Sequence, residues 1–322
     1  MTVVVHGIAS FMFDVSSEKF LQRAPLEAHG TIEGSAVLRA VFHTLAYADV
    51  FDYPLTAPEV YRYLTSTTAT MQEVQDALSD DSHFSQVEGY FTLRAREEIV
   101  EVRKRRAKIA ARLWRKATRY GRIIARLPFV RMVAVTGSLS MNNAEEGKDI
   151  DYMIVTEPNH LWTCRALSLS IARIAKLEGV QLCPNYLVTI HALELNERSL
   201  YVAHEVAQMI PLSGMAVYEE ICRRNDWIYD YLPHASGAPA LPPGVMAVKE
   251  PSLFQRALES IFRLPFGTWL ERWEMKRKIA KLTREQSHSF ESYFSADICK
   301  GHIDKHGENI VTALAVRLKK AA

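Results

Sequence analysis

Apolar and polar positions along this chain fall into blocks with different periods, and each period predicts an element. Residues 1–34 show no clean period and read as a lead-in. From Ser35 the pattern is helical, with Val37, Val41 and Leu45 one turn apart. A second helix starts at Thr56, where Thr56-Ala57-Pro58-Glu59 has the form of a capping box with Pro in the first turn. A third helix covers about 70–78, and residues 84–93 give two short strand-like runs around Glu88-Gly89. A long amphipathic helix follows over 97–127. Ile99, Val102, Ile109, Leu113, Ala117, Tyr120, Ile124 and Leu127 keep three-to-four spacing there, with a gap at Arg106. From 129 to 195 strand and helix alternate: strands at 130–135, 150–155 and 186–190, a short helix opening at Ser138, and a longer one over 161–177. Residues 198–231 read as helical with an interruption at Pro211.

Punctuation divides the chain further. Residues 233–252 hold Pro233, Pro239, Pro242, Pro243 and Pro251 and read as a linker. Residues 253–322 read as a helical C-terminal region containing Trp269, Trp273 and a basic run at 276–278. No internal repeat is present. Three helices followed by a hairpin is the element order of a winged helix, and residues 35–95 resemble that family in order alone. Residues 96–128 then form a basic linker helix, and 129–232 a separate α+β domain, a mixed sheet flanked by helices.

Composition sharpens this picture in a few places. A chain of 322 residues with 48% hydrophobic and 24% charged residues has the mix of a soluble globular protein and the length for two or three domains. A net charge of +2 excludes a polyanion-binding role for the whole chain, but the charge is unevenly placed. The polar faces of the 97–127 helix carry Arg103, Lys104, Arg105, Arg106, Lys108, Arg112, Arg115, Lys116, Arg119 and Arg122. Such a helix allows weak nucleic-acid contact through phosphates, although a solvated linker face is the plainer reading. The third helix and its turn carry Glu73, Asp76, Asp80 and Asp81, which would repel phosphates, so the N-terminal module is expected to dock protein. Four scattered cysteines (Cys164, Cys183, Cys222 and Cys299) without a C-x-x-C pair suit reduced thiols. The N-terminus does not read as a signal peptide, and no run approaches the roughly 20 apolar residues that cross a bilayer. A cytoplasmic protein without a membrane partner is expected.

The segment that carries chemistry is 133–155. A buried strand ends at Gly137-Ser138, a polar loop follows, and Asp149 and Asp151 open an apolar strand. Residues two apart on a strand share a face, so both carboxylates aim at one point. Such a pair repels itself unless a cation sits between, and hard oxygen ligands suit Mg2+. Gly137 permits close backbone approach, and the Ser138 hydroxyl with the neighbouring N–H groups favours a phosphate. Lys148, beside Asp149, can touch phosphate or simply be solvated.

An apolar strand ending in Gly-Ser, a polar spacer, then Asp-x-Asp on a hydrophobic strand resembles the DNA polymerase beta-like nucleotidyltransferases. The resemblance rests on Gly137, Ser138, Asp149, Asp151 and their flanking strands, and covers about 129–230. It implies a nucleotidyltransferase-type sheet, a nucleoside triphosphate such as ATP held at Gly137 and Ser138, and Mg2+ or Mn2+ held by Asp149 and Asp151. The family often has a third carboxylate on a later strand; the matching strand begins at Asn185, with Glu194 beyond it. Asn can ligate a metal but cannot act as a base. The expected reaction is transfer of a nucleoside monophosphate to an acceptor hydroxyl or amine on a small molecule, a protein or RNA, with release of pyrophosphate. Asn185 also suits a second reading, a catalytically lapsed nucleotide-binding regulatory or antitoxin-like protein. Two weaker signals are Arg165, early in the following helix, and the zinc-like spacing of Cys299, His302 and His306. No Walker A loop, Rossmann glycine triplet or nucleophile elbow is present.

Overall fold

The computed structural model describes residues 32–80, 82–245, 253–285, 293–301 and 306–321. The lead-in over 1–31, Asp81, the second part of the 233–252 segment from 246 on, and His302 lie outside the described residues. Helix α1 (Ala36–Asp49) begins where Ser35 accepts a hydrogen bond from the Leu38 N–H at 3.1 Å. Strand β1 (Leu55–Thr56) leads into α2 (Ala57–Arg62), and α3 (Met71–Leu78) follows; both helices start at capping boxes, Thr56 with Glu59 and Thr70 with Glu73. Strands β2 (Phe84–Val87) and β3 (Tyr90–Leu93) form a hairpin whose two turn residues, Glu88 (φ 51°) and Gly89 (φ 81°), both take positive φ, as a two-residue hairpin of this twist requires. The small antiparallel sheet has the order β1-β3-β2.

The long helix α4 (Ile99–Ala125) connects this module to the rest of the chain. Its pattern gap at Arg106 is a docking point. That guanidinium donates to the Phe51 carbonyl (2.9 Å) and to Asn143 Oδ1 (3.3 Å), and pairs with Glu145. Other basic residues of α4 also meet the protein's own acids. Arg103 pairs with Glu59 at 2.7 Å and lies over the rings of Tyr53 and Tyr90, Lys104 meets Glu88 and Glu101, and Arg119 meets Glu178. Part of the basic face is therefore an internal brace rather than a solvated linker.

The main sheet is built from β4 (Val130–Val135), α5 (Gly137–Ser140), β5 (Ile150–Thr156), α6 (Leu161–Leu177), β6 (Leu182–Thr189), α7 (Leu200–Gln208), β7 (Ile210–Ser213), α8 (Met215–Arg224) and α9 (Ile228–Tyr231). The chain then adds α10 (Leu253–Phe262), α11 (Pro265–Glu285), β8 (Tyr293–Phe294), β9 (Ile298–Lys300) and α12 (His306–Ala321). The strand order is β7-β4-β5-β6-β9-β8; β5 and β6 are parallel, joined by the α6 crossover, and the other pairs are antiparallel. The chain is thus a mixed α and β protein with a mixed sheet and flanking helices.

The structure departs from three of the sequence readings. The break at Pro211 is an edge strand, β7, which pairs with β4; its four residues are too short to show a period. The C-terminal region is not wholly helical, because β8 and β9 extend the main sheet beyond β6. The first part of the Pro-rich segment is also packed rather than free. The Ser236 and Gly237 carbonyls accept from Arg62, and His234 Nε2 accepts from the Ala69 N–H at 3.1 Å.

Strand alternation sorts the sheet into two faces. Val133, Val135, Ile150, Tyr152, Ile154 and Leu187 pack under α4 and α6. Met132, Ala134, Met153, Val155 and Val188 face α7, α8, α12 and the N-terminal module, whose Phe42, Leu45 and Leu64 belong to the same continuous core. Among the described residues no helix is long and apolar enough to cross a membrane.

Candidate functional site

The candidate site lies where β4 ends and β5 begins. The Thr136 N–H donates to the Asp151 carbonyl at 3.1 Å, holding the turn after β4 against the first residues of β5. Gly137 has φ 65°, a conformation that side chains rarely adopt. A Cβ at this position would also stand 2.7 Å from Asp151 Oδ2. Gly137 and Asp151, fourteen positions apart in sequence by their numbers, are therefore in direct apposition. Ser138 is exposed beside them, and Asp149 and Lys148 are exposed at the mouth of β5.

Asp151 sits on the sheet face of Met153 and Val155, half-buried. Its carboxyl is pushed up to about 7 by burial and then by the negative charge of Asp149, and a hydrogen bond from the Cys183 thiol works against that rise. Cys183 stands opposite Asp151 in the β5–β6 register. Burial and the two aspartates push this thiol up to about 12, so it remains a donor. Asn185 Nδ2 donates to Asp151 Oδ1 at 3.2 Å. Alternation counted on from Cys183 puts Asn185 on the Asp151 face, whereas counted back from Tyr186 it would put it on the other; the register steps from Tyr152↔Pro184 to Met153↔Tyr186 and leaves Asn185 unpaired between them. The bulge lets both Asn185 and Tyr186 lie on the side of Asp151.

Sequence reasoning missed three residues here. Glu205, on α7, is half-buried on the same side of the sheet and is pushed up to about 7 by burial and by the charge of Asp151. Lys300, opposite Tyr186 on β9, pairs with Glu197 at 3.2 Å and pulls Glu205 the other way. Cys183 had a local signal, its position at the start of the β6 strand. Glu205 and Lys300 had none, because helix packing and an unforeseen strand bring them in. Other candidates lie elsewhere. Glu194 is exposed and pairs with Arg198. Arg165 lies over the Trp162 ring and against Cys299, under the other face of the sheet. Cys299 is buried in strand β9, which removes the helical spacing a zinc site there needed.

The loop from Met141 to Asp149 is pinned by the N-terminal module and α4. Tyr53 OH donates to the Met141 carbonyl (2.6 Å), Asn143 Nδ2 to the Phe51 carbonyl (3.1 Å), and Trp114 Nε1 to Asn142 Oδ1 (2.7 Å). Both ends of the site are thus held by rigid elements. Among the described residues no three His, Cys, Asp or Glu side chains gather into a ready metal-binding group. The arrangement offers two close carboxylates, an amide oxygen available on rotation, and a glycine turn with an exposed hydroxyl. Comparison with family models, with curated proteins and with solved structures finds no match for this chain.

Proposed function

We propose that the chain is a nucleotidyltransferase of the DNA polymerase beta-like type. The observation that carries this reading is the apposition of Gly137 to Asp151, with a Cβ-to-oxygen distance that only glycine escapes. A phosphate-approaching turn and a metal carboxylate must meet in this way if a metal-bound triphosphate is to touch both. The order β4, α5, β5, α6, β6, with β5 and β6 parallel, supports the same reading. Asp149 and Asp151 would hold Mg2+ or Mn2+, and Asn185 is the third position. Two carboxylates leave the remaining ligands to triphosphate oxygens and water, which Mg2+ accepts. The residues fit that cation: Asp151 is disfavoured as an anion by burial beside Asp149, and a divalent cation offsets both effects. When bound, the metal supplies charge neutralisation for the triphosphate.

Gly137 and Ser138, with Lys148 at the rim, hold the phosphates. An acceptor hydroxyl or amine attacks the α-phosphorus, the bond to the bridging oxygen of the β-phosphate breaks, and pyrophosphate leaves. The acceptor's proton passes to a carboxylate, for which Glu205 is placed on the same side of the sheet as Asp151. The three helices and three-stranded antiparallel sheet of residues 36–93 support a winged-helix-like module that braces the site loop.

A second reading is favoured by Asn185, whose amide occupies Asp151 Oδ1 where a carboxylate would otherwise share a second metal. On that reading the site binds nucleotide for regulation without turnover. Thermal shift and pyrophosphate release with Mg2+ and each nucleoside triphosphate test both. Stabilisation with pyrophosphate release supports the enzyme, and stabilisation alone supports the regulator. Equal stabilisation of wild type and the Asp149→Ala/Asp151→Ala variant sinks the site assignment.

A further inference from the structure

Helices α10 and α11 form a hairpin that keeps four polar side chains inside and leaves large apolar ones outside. Partly buried Phe262, Met275, Ile279 and Leu282 pack against the core, yet the side chains buried deepest are polar: Gln255 is 1% exposed, Glu259 7%, Glu271 4% and Glu274 5%. Their exposed positions are apolar: Ile261, Leu264, Phe266 (62%), Trp269 (58%) and Trp273 (48%) crowd the corner and the first turns of α11. The inner face is fixed in place. Gln255 Nε2 donates to the Leu127 carbonyl at 2.8 Å, Glu259 accepts from the Phe129 N–H at 2.9 Å, and Glu271 accepts from the Trp162 and Thr163 N–H groups at 2.8 and 2.6 Å. These bonds prevent the hairpin from rolling its aromatic side inward. A rigid outward patch of this kind marks an interaction surface.

We propose that the outer face of the α10–α11 hairpin seats on an anionic membrane surface. Charge complementarity favours this occupant. Arg256, Arg272, Lys276 and Arg284 are exposed on these helices, whereas Glu259, Glu271 and Glu274 are buried, so the face is cationic. Tryptophan and phenylalanine flanked by Arg and Lys are the side chains that enter the headgroup level while their cations stay with the lipid phosphates. A second copy seated on the same face would bring like charges together. Base stacking is disfavoured because the rings already face one another: Phe266 and Trp269 are 6.1 Å apart at 28°, Trp269 and Trp273 6.2 Å apart at 14°, and Arg277 lies 5.0 Å over Trp273. Ile261 and Leu264 offer no ring at all.

Position in the fold agrees. The hairpin's bonds fall on Phe129, Trp162 and Thr163, at the start of β4 and beyond the end of β5, whereas Gly137 and Asp151 lie at the other end of those strands. A membrane-seated hairpin leaves the candidate site open to solvent. The expectation of no membrane partner rested on the lack of a spanning run, and among the described residues no helix is long and apolar enough to cross a membrane; seating on a surface needs no such run.

The test is co-sedimentation of the full chain with phosphatidylcholine vesicles, alone or with phosphatidylglycerol added. Partition onto the anionic vesicles that weakens with salt and falls about tenfold or more in Trp269→Ser/Trp273→Ser is expected. The charge variant Arg272→Glu/Lys276→Glu should lose binding as well. Unchanged thermal midpoints of both variants, whose positions are exposed, would show that folding is intact. No partition onto anionic vesicles, equal partition onto neutral ones, or wild-type binding by both variants would overturn the proposal. So would, without vesicle binding, a dimer that the tryptophan variant dissolves, or retention of an RNA oligonucleotide that it abolishes.

Discussion

The two ends of the main sheet both hold buried or half-buried carboxylates, and they treat them in opposite ways. At the hairpin end, Glu271 accepts from the backbone of Trp162 and Thr163 and from the Thr163 hydroxyl, while Glu259 accepts from Phe129 and from Arg131 at 2.9 Å each. Both of these carboxylates meet fixed donors, and such a carboxylate is part of the structure. At the other end, Asp151 has a thiol and an amide as donors and another aspartate as neighbour. Glu205 shares its field. The protein satisfies buried acids with backbone N–H groups at one end yet leaves like charges facing each other at the other, and this supports the proposed cation site there. On the proposed reading, the contrast is between structural acids at one end and functional ones at the other.

The largest expected effect tests the satisfied end. Glu271→Ala removes the acceptor for two backbone N–H groups and one hydroxyl at the start of α6, and should cost about 3 kcal/mol in chemical denaturation. Asp151→Asn strips no backbone donor of its acceptor and removes a like-charge neighbour. It should leave stability at pH 8 unchanged or raised. If Asp151→Asn cost as much as Glu271→Ala, both acids would be structural and the contrast would collapse.

A second test uses pH, without metal. Asp151 and Glu205 are raised from 3.8 and 4.5 to about 7. A carboxyl raised on folding lends stability that is complete below its unfolded value and is lost as pH rises through its folded one. Between about pH 5 and pH 8 the pair should therefore cost on the order of 2–3 kcal/mol, not the sum of two separate shifts, since the rise at Glu205 already includes the charge of Asp151. His204, lowered to about 3 by burial, acts in the opposite direction below its ordinary value of 6.5. The difference between wild type and Asp151→Asn across this range is thus the readout. A flat difference would place Asp151 in ordinary solvent.

Much of this was legible in the residues, and the reasons for the gaps are physical. Strand 130–135 and helix 161–177 were readable because long periodic segments bury one face. Gly137, Ser138, Asp149 and Asp151 were readable as one site because they fall at the ends of two apolar strands joined by a single polar loop. β7 and β9 were not, since strands of three or four residues carry too little period and exist through their neighbours. The outward aromatic face of the α10–α11 hairpin was not legible for a related reason: amphipathic spacing shows that a helix has two faces, but not which face the protein keeps. Glu205 is the one acid of a mostly apolar helix, and only the placement of α7 on the same side of the sheet as Asp151 suggests a role for it.

The smallest expected effect is also the most discriminating. Asn185→Asp places a carboxylate at a position whose amide nitrogen is 3.2 Å from Asp151 Oδ1. Without metal the donor becomes a repelling charge or a shared proton, so Asp151 should rise further and stability at pH 8 should fall by about 1 kcal/mol. With Mg2+ the same change should strengthen metal-dependent stabilisation, because the site gains a hard ligand. Opposite signs without and with Mg2+, read as thermal midpoints, would establish that the bulge at Asn185 points into a cation site. Equal loss in both conditions would mean that the amide is a structural tie. Pyrophosphate release then separates the two functional readings: a gain of turnover in Asn185→Asp marks a lapsed site restored, whereas a loss marks an enzyme already tuned to two carboxylates and an amide.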